Sequence, residues 1–213
     1  MAGGVTSETA RAVTGGFSRE RDTRAARDQV VHVWRDWSTQ HRLLAAMLGG
    51  IVAVHISSLV GFWMGGFGLT RLDYNTANGM VLLPGGSPTQ QFVVGGLSHY
   101  ADGVFFAVLF ALALSPIMPL QATRLGNIAK SLILGTVLAL LAIFVTAPFV
   151  FGPARGVHDS LAGVHAGWNY MLSVFIFHWL YGLHVGLIYN PYDRVGEPGG
   201  PDAAHAHRGG SGA

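Results

Sequence analysis

Phe175-Ile-Phe-His-Trp-Leu-Tyr-Gly-Leu-His-Val-Gly-Leu-Ile-Tyr189 decides the fold. The stretch is apolar enough for lipid, yet it carries two histidines, His178 and His184, and two glycines, Gly182 and Gly186. Extended back to about residue 166, it reaches the roughly 20 residues an α-helix needs to cross a hydrocarbon core of about 30 Å. Three more apolar segments of this kind precede it, at about 43–67, 92–116 and 128–151. The chain therefore reads as all-α, an integral membrane four-helix bundle with an N-terminal interfacial helix.

Composition agrees. Half of the 213 residues are hydrophobic and 11% are charged, against about 25% charged in an average soluble domain. The absence of cysteine excludes disulfides, thiolate metal sites and c-type haem attachment. The sequence pI of 9.2 reflects arginines beside the spans. No basic patch is interleaved with aromatics, so nucleic acid is not an expected partner. Nucleotide-binding loops, nucleophile elbows and zinc-protease helices are missing, which leaves a soluble-enzyme reading without support.

Residues 1–27 are polar and Gly-rich and read as a disordered cytoplasmic arm. They have neither the early apolar core of a signal peptide nor the acid-poor composition of a transit peptide. Residues 28–41 follow, with Val30, Val33, Trp34 and Trp37 on one helical stripe and Gln29, His32, Arg35 and Asp36 opposite. Tryptophans beside a span favour the headgroup region, so this is the interfacial amphipathic helix, a partner-docking helix being the competing reading. Residues 42–190 form the membrane domain, and 191–213 a disordered cytoplasmic tail in which His205 and His207 read as solvated. The 68–91 loop, with turn signals at Asn78-Gly79 and Pro84-Gly85, is long enough to cap the bundle or lie against a partner.

An internal echo runs through the spans. His99-Tyr-Ala-Asp-Gly103 repeats the pattern of His178-Trp-Leu-Tyr-Gly182, 79 positions apart. Leu48-Gly-Gly-Ile51 matches Leu125-Gly-Asn-Ile128 at 77. Near-equal offsets suggest two duplicated helical hairpins, a parallel repeat about an axis along the membrane normal.

The histidines carry the functional question. Ionisable groups in hydrocarbon face the bundle interior or a cavity. Polar glue between helices is the simplest role, with Asp102 paired to His99 three residues away, His184 as a further polar contact, and Gly103 and Gly182 as close-packing positions. The sharp alternative is haem b held by a pair among His55, His99 and His178. A metal site from His55, His99 and Asp102 is a third possibility, and a proton path through Asp102 a fourth. No catalytic residue stands out, no cofactor is required, and bound lipid is expected.

The two histidine–aromatic–x-x-glycine motifs, with the closing Gly-Leu-Ile-Tyr189, resemble the YagU-like proteins and related four-span prokaryotic membrane proteins over about 92–190. The resemblance implies topology and a prokaryotic inner membrane location; the group has no established activity to transfer. The function expected is a non-catalytic integral subunit that docks in and stabilises a larger membrane complex, respiratory or electron-transfer in kind, beside other integral subunits and the lipid bilayer. A haem-b electron carrier, or a small transporter or channel with a His/Asp path, are the alternatives.

Basic residues predict the orientation. Eleven of the 13 lie on the side of the termini, and only Arg71 and Arg155 lie opposite, which places both termini in the cytoplasm. Cysteines introduced singly at Ser87 and Arg155 should label from outside in intact cells, and one at Ser18 should not. Reversed labelling would overturn this topology.

Overall fold

The computed structural model describes residues 23, 26, 29, 30, 33–120 and 122–191. Most of the predicted arm and nearly all of the predicted tail, His205 and His207 included, lie outside the described residues. Residues 33–40 are helical. In that segment Trp34 and Trp37 stack at 5.2 Å and Val33 is exposed, as is Val30 before it.

Between His41 and Pro191 the described residues are mostly helical, joined by short loops, and no strand occurs among the described residues. Four helices are long and apolar enough to cross a bilayer: Arg42–Phe67, Pro88–Ile117, Arg124–Ala154 and Trp168–Ile188. We label their regular parts α1 (Arg42–Trp63), α3 (Pro88–Leu109), α4 (Arg124–Leu141) and α5 (Trp168–Ile188), with α2 (Tyr74–Leu82) between the first two spans. The second span starts at Pro88 rather than near residue 92. Its polar first turn is held by a capping box, in which Ser87 N donates to Gln90 Oε1 at 2.9 Å and Gln90 N to Ser87 Oγ at 3.4 Å.

Two spans widen before they end. Phe110–Leu114 and Ala142–Phe151 are π-helical. Pro116 follows the first segment and Pro148 lies inside the second. Proline has no N–H for the carbonyl four residues back, and its ring crowds that carbonyl. The chain adopts the wider pitch there: Ser115 N reaches Phe110 O, and Gly152 N reaches Ala147 O.

The predicted 68–91 loop contains a helix. After Phe67 the chain turns back along its own span, with Leu69 N donating to Met64 O at 3.2 Å and Leu72 N to Gly61 O at 3.0 Å. Asp73 then caps α2 through Thr76 N and Thr76 Oγ1. The helix lies flush on α3. A Cβ at Gly79 would run into the Gln91 carbonyl, and one at Gly95 into Asn75 O. Irregular backbone at such depth survives only where protein or a cavity covers it, and here α3 covers it.

Several positions related by the 77- and 79-residue offsets make helix–helix contacts in both hairpins. Gly103 of α3 faces Val54 of α1, and Gly182 of α5 faces the Ser131 carbonyl of α4. A Cβ at Gly50 would stand 3.0 Å from Ala107 Cβ, and at the matching positions Asn127 Nδ2 donates to Gly186 O at 3.1 Å. These are the 77- and 79-residue offsets realised in three dimensions. A Cβ added at Gly61 would stand 3.1 Å from Leu72 O and the Phe177 ring, whereas one at Gly65 would meet only Arg71 Cβ, at 3.8 Å. Of these two glycines of the first span, only Gly61 is a close contact.

Symmetry breaks on one side. α1 packs on both α3 and α5, and α4 packs on α5, but α3 and α4 do not pack along their length. α2 stands between α3 and the π segment of α4.

At the other end the spans are tied by polar bonds. Arg42 Nε donates to Tyr189 Oη at 3.0 Å, and Arg42 Nη2 and Tyr189 Oη both donate to Ala111 O at 3.2 Å. Asn127 Nδ2 also donates to Tyr189 O at 2.6 Å, Ser115 Oγ to Asn127 Oδ1 at 3.3 Å, and Lys130 Nζ to Ser115 O at 2.8 Å. All four spans meet in this clasp.

Because Gly103 and Gly182 lie against neighbouring helices, Gly103→Leu and Gly182→Leu should each destabilise the bundle by roughly 1–3 kcal/mol, the usual cost of overpacking. Gly66→Leu is the control, since nothing lies within 4 Å of its Cβ position. Detergent melting curves that shift equally for all three would show that these glycines are not contact points.

Candidate intramembrane binding site

The unfilled side between α3 and α4 is a cavity of about 190 Å³. α3 contributes His99, Asp102, Gly103 and Phe106, and α5 contributes Phe177, His178 and Tyr181. Leu138 and Leu141 of α4, with Ala142, Thr146 and Phe151 of its π segment, form the opposite wall. Val54 of α1 and Tyr74 and Asn78 of α2 complete the lining. His99 lies 11 residues into its span and His178 10 into its own, about 15 Å along each axis at 1.5 Å per residue. The site is therefore near mid-depth.

Its centre is aromatic. The Tyr74 ring stacks on His99 at 5.5 Å and meets Phe177 at 4.8 Å, His178 at 5.9 Å and Phe151 at 6.1 Å. His99 lies 5.8 Å from Phe177. Tyr181 closes the floor by donating its hydroxyl to Gly103 O at 2.6 Å.

Polar valences around this cavity are left open. His99 Nε2 and Tyr74 Oη are buried without a hydrogen-bond partner. His178 Nδ1 lies 2.8 Å from Val174 O. A carbonyl only accepts, so Nδ1 carries the proton, and in the neutral ring Nε2 is an unused acceptor. An unpaired buried polar group costs about 1–3 kcal/mol; Tyr74 Oη and His99 Nε2 are two such groups bordering one cavity, and the open acceptor of the partly buried His178 lies beside them.

The histidines are distributed differently from the sequence expectation. His178 and His184 bond carbonyls of their own helix, at Val174 and Leu180, and neither bonds another span. His99 does not pair with Asp102; its ring lies on Tyr74, while Asp102 accepts a long bond from Asn78 at 3.5 Å. Polar glue between spans comes from His55 instead, whose Nδ1 lies 2.7 Å from Tyr100 Oη, and from Trp179, whose indole donates to Thr136 Oγ1 at 3.0 Å. The role fits; the residues assigned to it mostly change.

Haem b does not fit this arrangement. His55 does not line the cavity, and its Nδ1 is engaged by Tyr100. His99 and His178 do line it, but the Tyr74 ring lies against both, where a porphyrin between them would have to stand. About 190 Å³ is also below the roughly 300–1,000 Å³ of sites for drug-sized ligands. Among the described residues no three of His, Cys, Asp or Glu converge for a metal ion, so His55, His99 and Asp102 do not form the metal site considered above.

A second cavity of about 300 Å³ lies beyond the first, and Tyr74 and Phe151 border both. Arg71, Asp73, Arg155 and Tyr170 line it. It holds the two basic residues that the sequence places opposite the termini. Neither Tyr74 nor this vestibule was singled out from sequence as a site, because nothing in Asp73-Tyr-Asn-Thr76 beyond a helix cap marks its depth.

No protein-family model, curated protein or solved structure matches this chain. The resemblance to YagU-like proteins rests on the His99 and His178 motifs alone.

If the open valences are retained for a ligand, removing them should not weaken the fold. Tyr74→Phe and His99→Phe are expected to be neutral or to raise stability by up to about 1–2 kcal/mol. His55→Phe should lose about 0.6 kcal/mol, the mean for a hydrogen bond between membrane helices. Thermal unfolding in detergent that ranks the variants the other way would contradict this reading of the cavity.

Proposed function

We propose that the protein is a non-catalytic membrane subunit whose working part is the mid-depth cavity, where it holds one small lipid-soluble ligand. The observation that carries this reading is the set of unpaired polar atoms, His99 Nε2, His178 Nε2 and Tyr74 Oη, around an otherwise aromatic and aliphatic space. Binding sites are commonly built this way, from apolar walls with few convergent polar groups. Asp102 and Leu141 are exposed at the rim between α3 and α4, which gives a lipid-soluble molecule a lateral route.

In this proposal the larger assembly is a membrane complex of the respiratory or electron-transfer kind, in a prokaryotic inner membrane, with both termini cytoplasmic. The basic-residue count and the motif resemblance support that setting. Other integral subunits would meet the apolar outer faces of the spans.

A transport path is the second reading, favoured by the two rings that separate vestibule from cavity. The clasp weighs against it. Arg42, Asn127, Lys130 and Tyr189 bond all four spans together at the opposite end, so the cavity has an access route on one side and a polar seal on the other. That architecture holds a molecule better than it passes one.

Organic extraction of protein purified from its native membrane in mild detergent should release one lipid-soluble compound at close to one per chain. Ala142→Phe, which puts a ring into the cavity wall, should lose that compound while remaining folded and monodisperse. Wild-type protein that releases no stoichiometric compound would overturn the proposal.

A further inference from the structure

Which ligand the cavity suits follows from its size and from the direction of its hydrogen bonds; the inference rests on the binding role proposed above. A dry cavity of about 150 Å³ lined by apolar side chains accommodates benzene. At about 190 Å³ this one has room for a single six-membered ring with one or two small substituents, and no more. The rings of Phe151 and Phe177, packed on that of Tyr74 at 6.1 and 4.8 Å, give the cavity an aromatic wall against which a further ring can pack.

Hydrogen-bond polarity narrows the class. Val174 O fixes the His178 proton on Nδ1, so Nε2 requires a donor from whatever occupies the cavity. Asp102, also in the lining, can accept and, when ionised, cannot donate. His99 Nε2 has no partner in the protein, and its ring can accept at one nitrogen and donate at the other. Tyr74 Oη can do either. A ketone or ether oxygen would leave His178 Nε2 unanswered. A hydroxyl would satisfy it, and could in turn accept from Tyr74 or His99.

We propose that the cavity selects a hydroxylated aromatic ring, a phenol or hydroquinone head carried on a hydrocarbon chain, with the ring hydroxyl donating to His178 Nε2. The chain would leave through the rim at Leu141 and Asp102, between α3 and α4. The reduced, hydroxyl-bearing form of such a molecule is preferred over its oxidised, carbonyl-bearing form, because only the former supplies the proton.

Three probes of nearly equal shape isolate that proton: 4-hexylphenol, its methyl ether and hexylbenzene. They are titrated against the purified full chain in detergent, and affinity is read from the thermal shift, which grows with ligand concentration over Kd. The phenol should bind at least ~10-fold more tightly than either analogue, since a site built to bond a hydroxyl discriminates strongly against its absence. His178→Phe should bring the phenol down to the level of the ether, and Tyr74→Phe should weaken it less. Water-soluble 4-hydroxybenzoate should give little shift; equal protection by it would overturn the lipid-borne origin. Equal binding of all three hexyl probes to the wild type would overturn the hydroxyl preference while leaving a binding cavity standing. Binding of none would remove the binding role as well.

Discussion

One carbonyl oxygen, that of Ala111, accepts from both Arg42 and Tyr189, and the arrangement of the four spans depends on it. Inside a regular α-helix that oxygen would be committed to the backbone N–H four residues on. The π turn ahead of Pro116 displaces the ladder and leaves acceptor capacity facing the bundle. Arg42 supplies a charge and Tyr189 a hydroxyl from the first and last spans. Asn127 then links the same Tyr189 through its carbonyl, and Ser115 links Asn127 and Lys130. In hydrocarbon, where apolar burial supplies no drive between helices, such bonds and close contacts must do the assembling. Charged hydrogen bonds are the stronger kind.

Fixing one end leaves the other free to be shaped. The two hairpins match through Val54–Gly103 and Ser131–Gly182, yet only three of the four possible seams between adjacent spans close. α2 fills part of the fourth. It can do so because Gly79 and Gly95 let two backbones touch, a separation that any side chain would forbid. The cavity is what remains of the unclosed seam, and the polar atoms beside it are unpaired because no fourth helix face arrives to meet them.

Much of this was legible from residues. Four apolar runs of the right length gave four spans, and Gly103 and Gly182 were recognisable as contact points from their repeated setting. The 77- and 79-residue offsets pointed to positions that do sit at helix contacts, Gly103 on Val54 and Gly182 on Ser131 among them. α2 was not, because Tyr74-Asn-Thr-Ala-Asn-Gly is poor helix sequence, stabilised by a tertiary backbone contact and one Asp73 cap. The clasp was hidden for another reason: Arg42, Ala111, Asn127 and Tyr189 are distant along the chain, and Asn127, between Arg124 and Lys130, reads as part of a polar span end. Histidine positions were visible but their partners were not. Whether an imidazole bonds its own helix, as His178 and His184 do, or a neighbour, as His55 does, depends on rotation about the helix axis, which no periodicity of an all-apolar span reveals.

The π segment around Pro148 makes the two long walls of the site mechanically unequal. α3 is braced by α2 along a glycine seam and by its capping box, and it has little freedom to bend. The upper part of α4 has a wider, less regular ladder with one donor missing at Pro148, and it is flanked by the short turn Ala162–His165, pressed in through Gly163 against Ile143 O. The less regular wall is therefore the π segment Ala142–Phe151 that continues α4. The cavity thus lies between one wall with a glycine seam behind it and one whose backbone ladder is interrupted by proline, while the other end is tied by the Arg42–Tyr189 clasp.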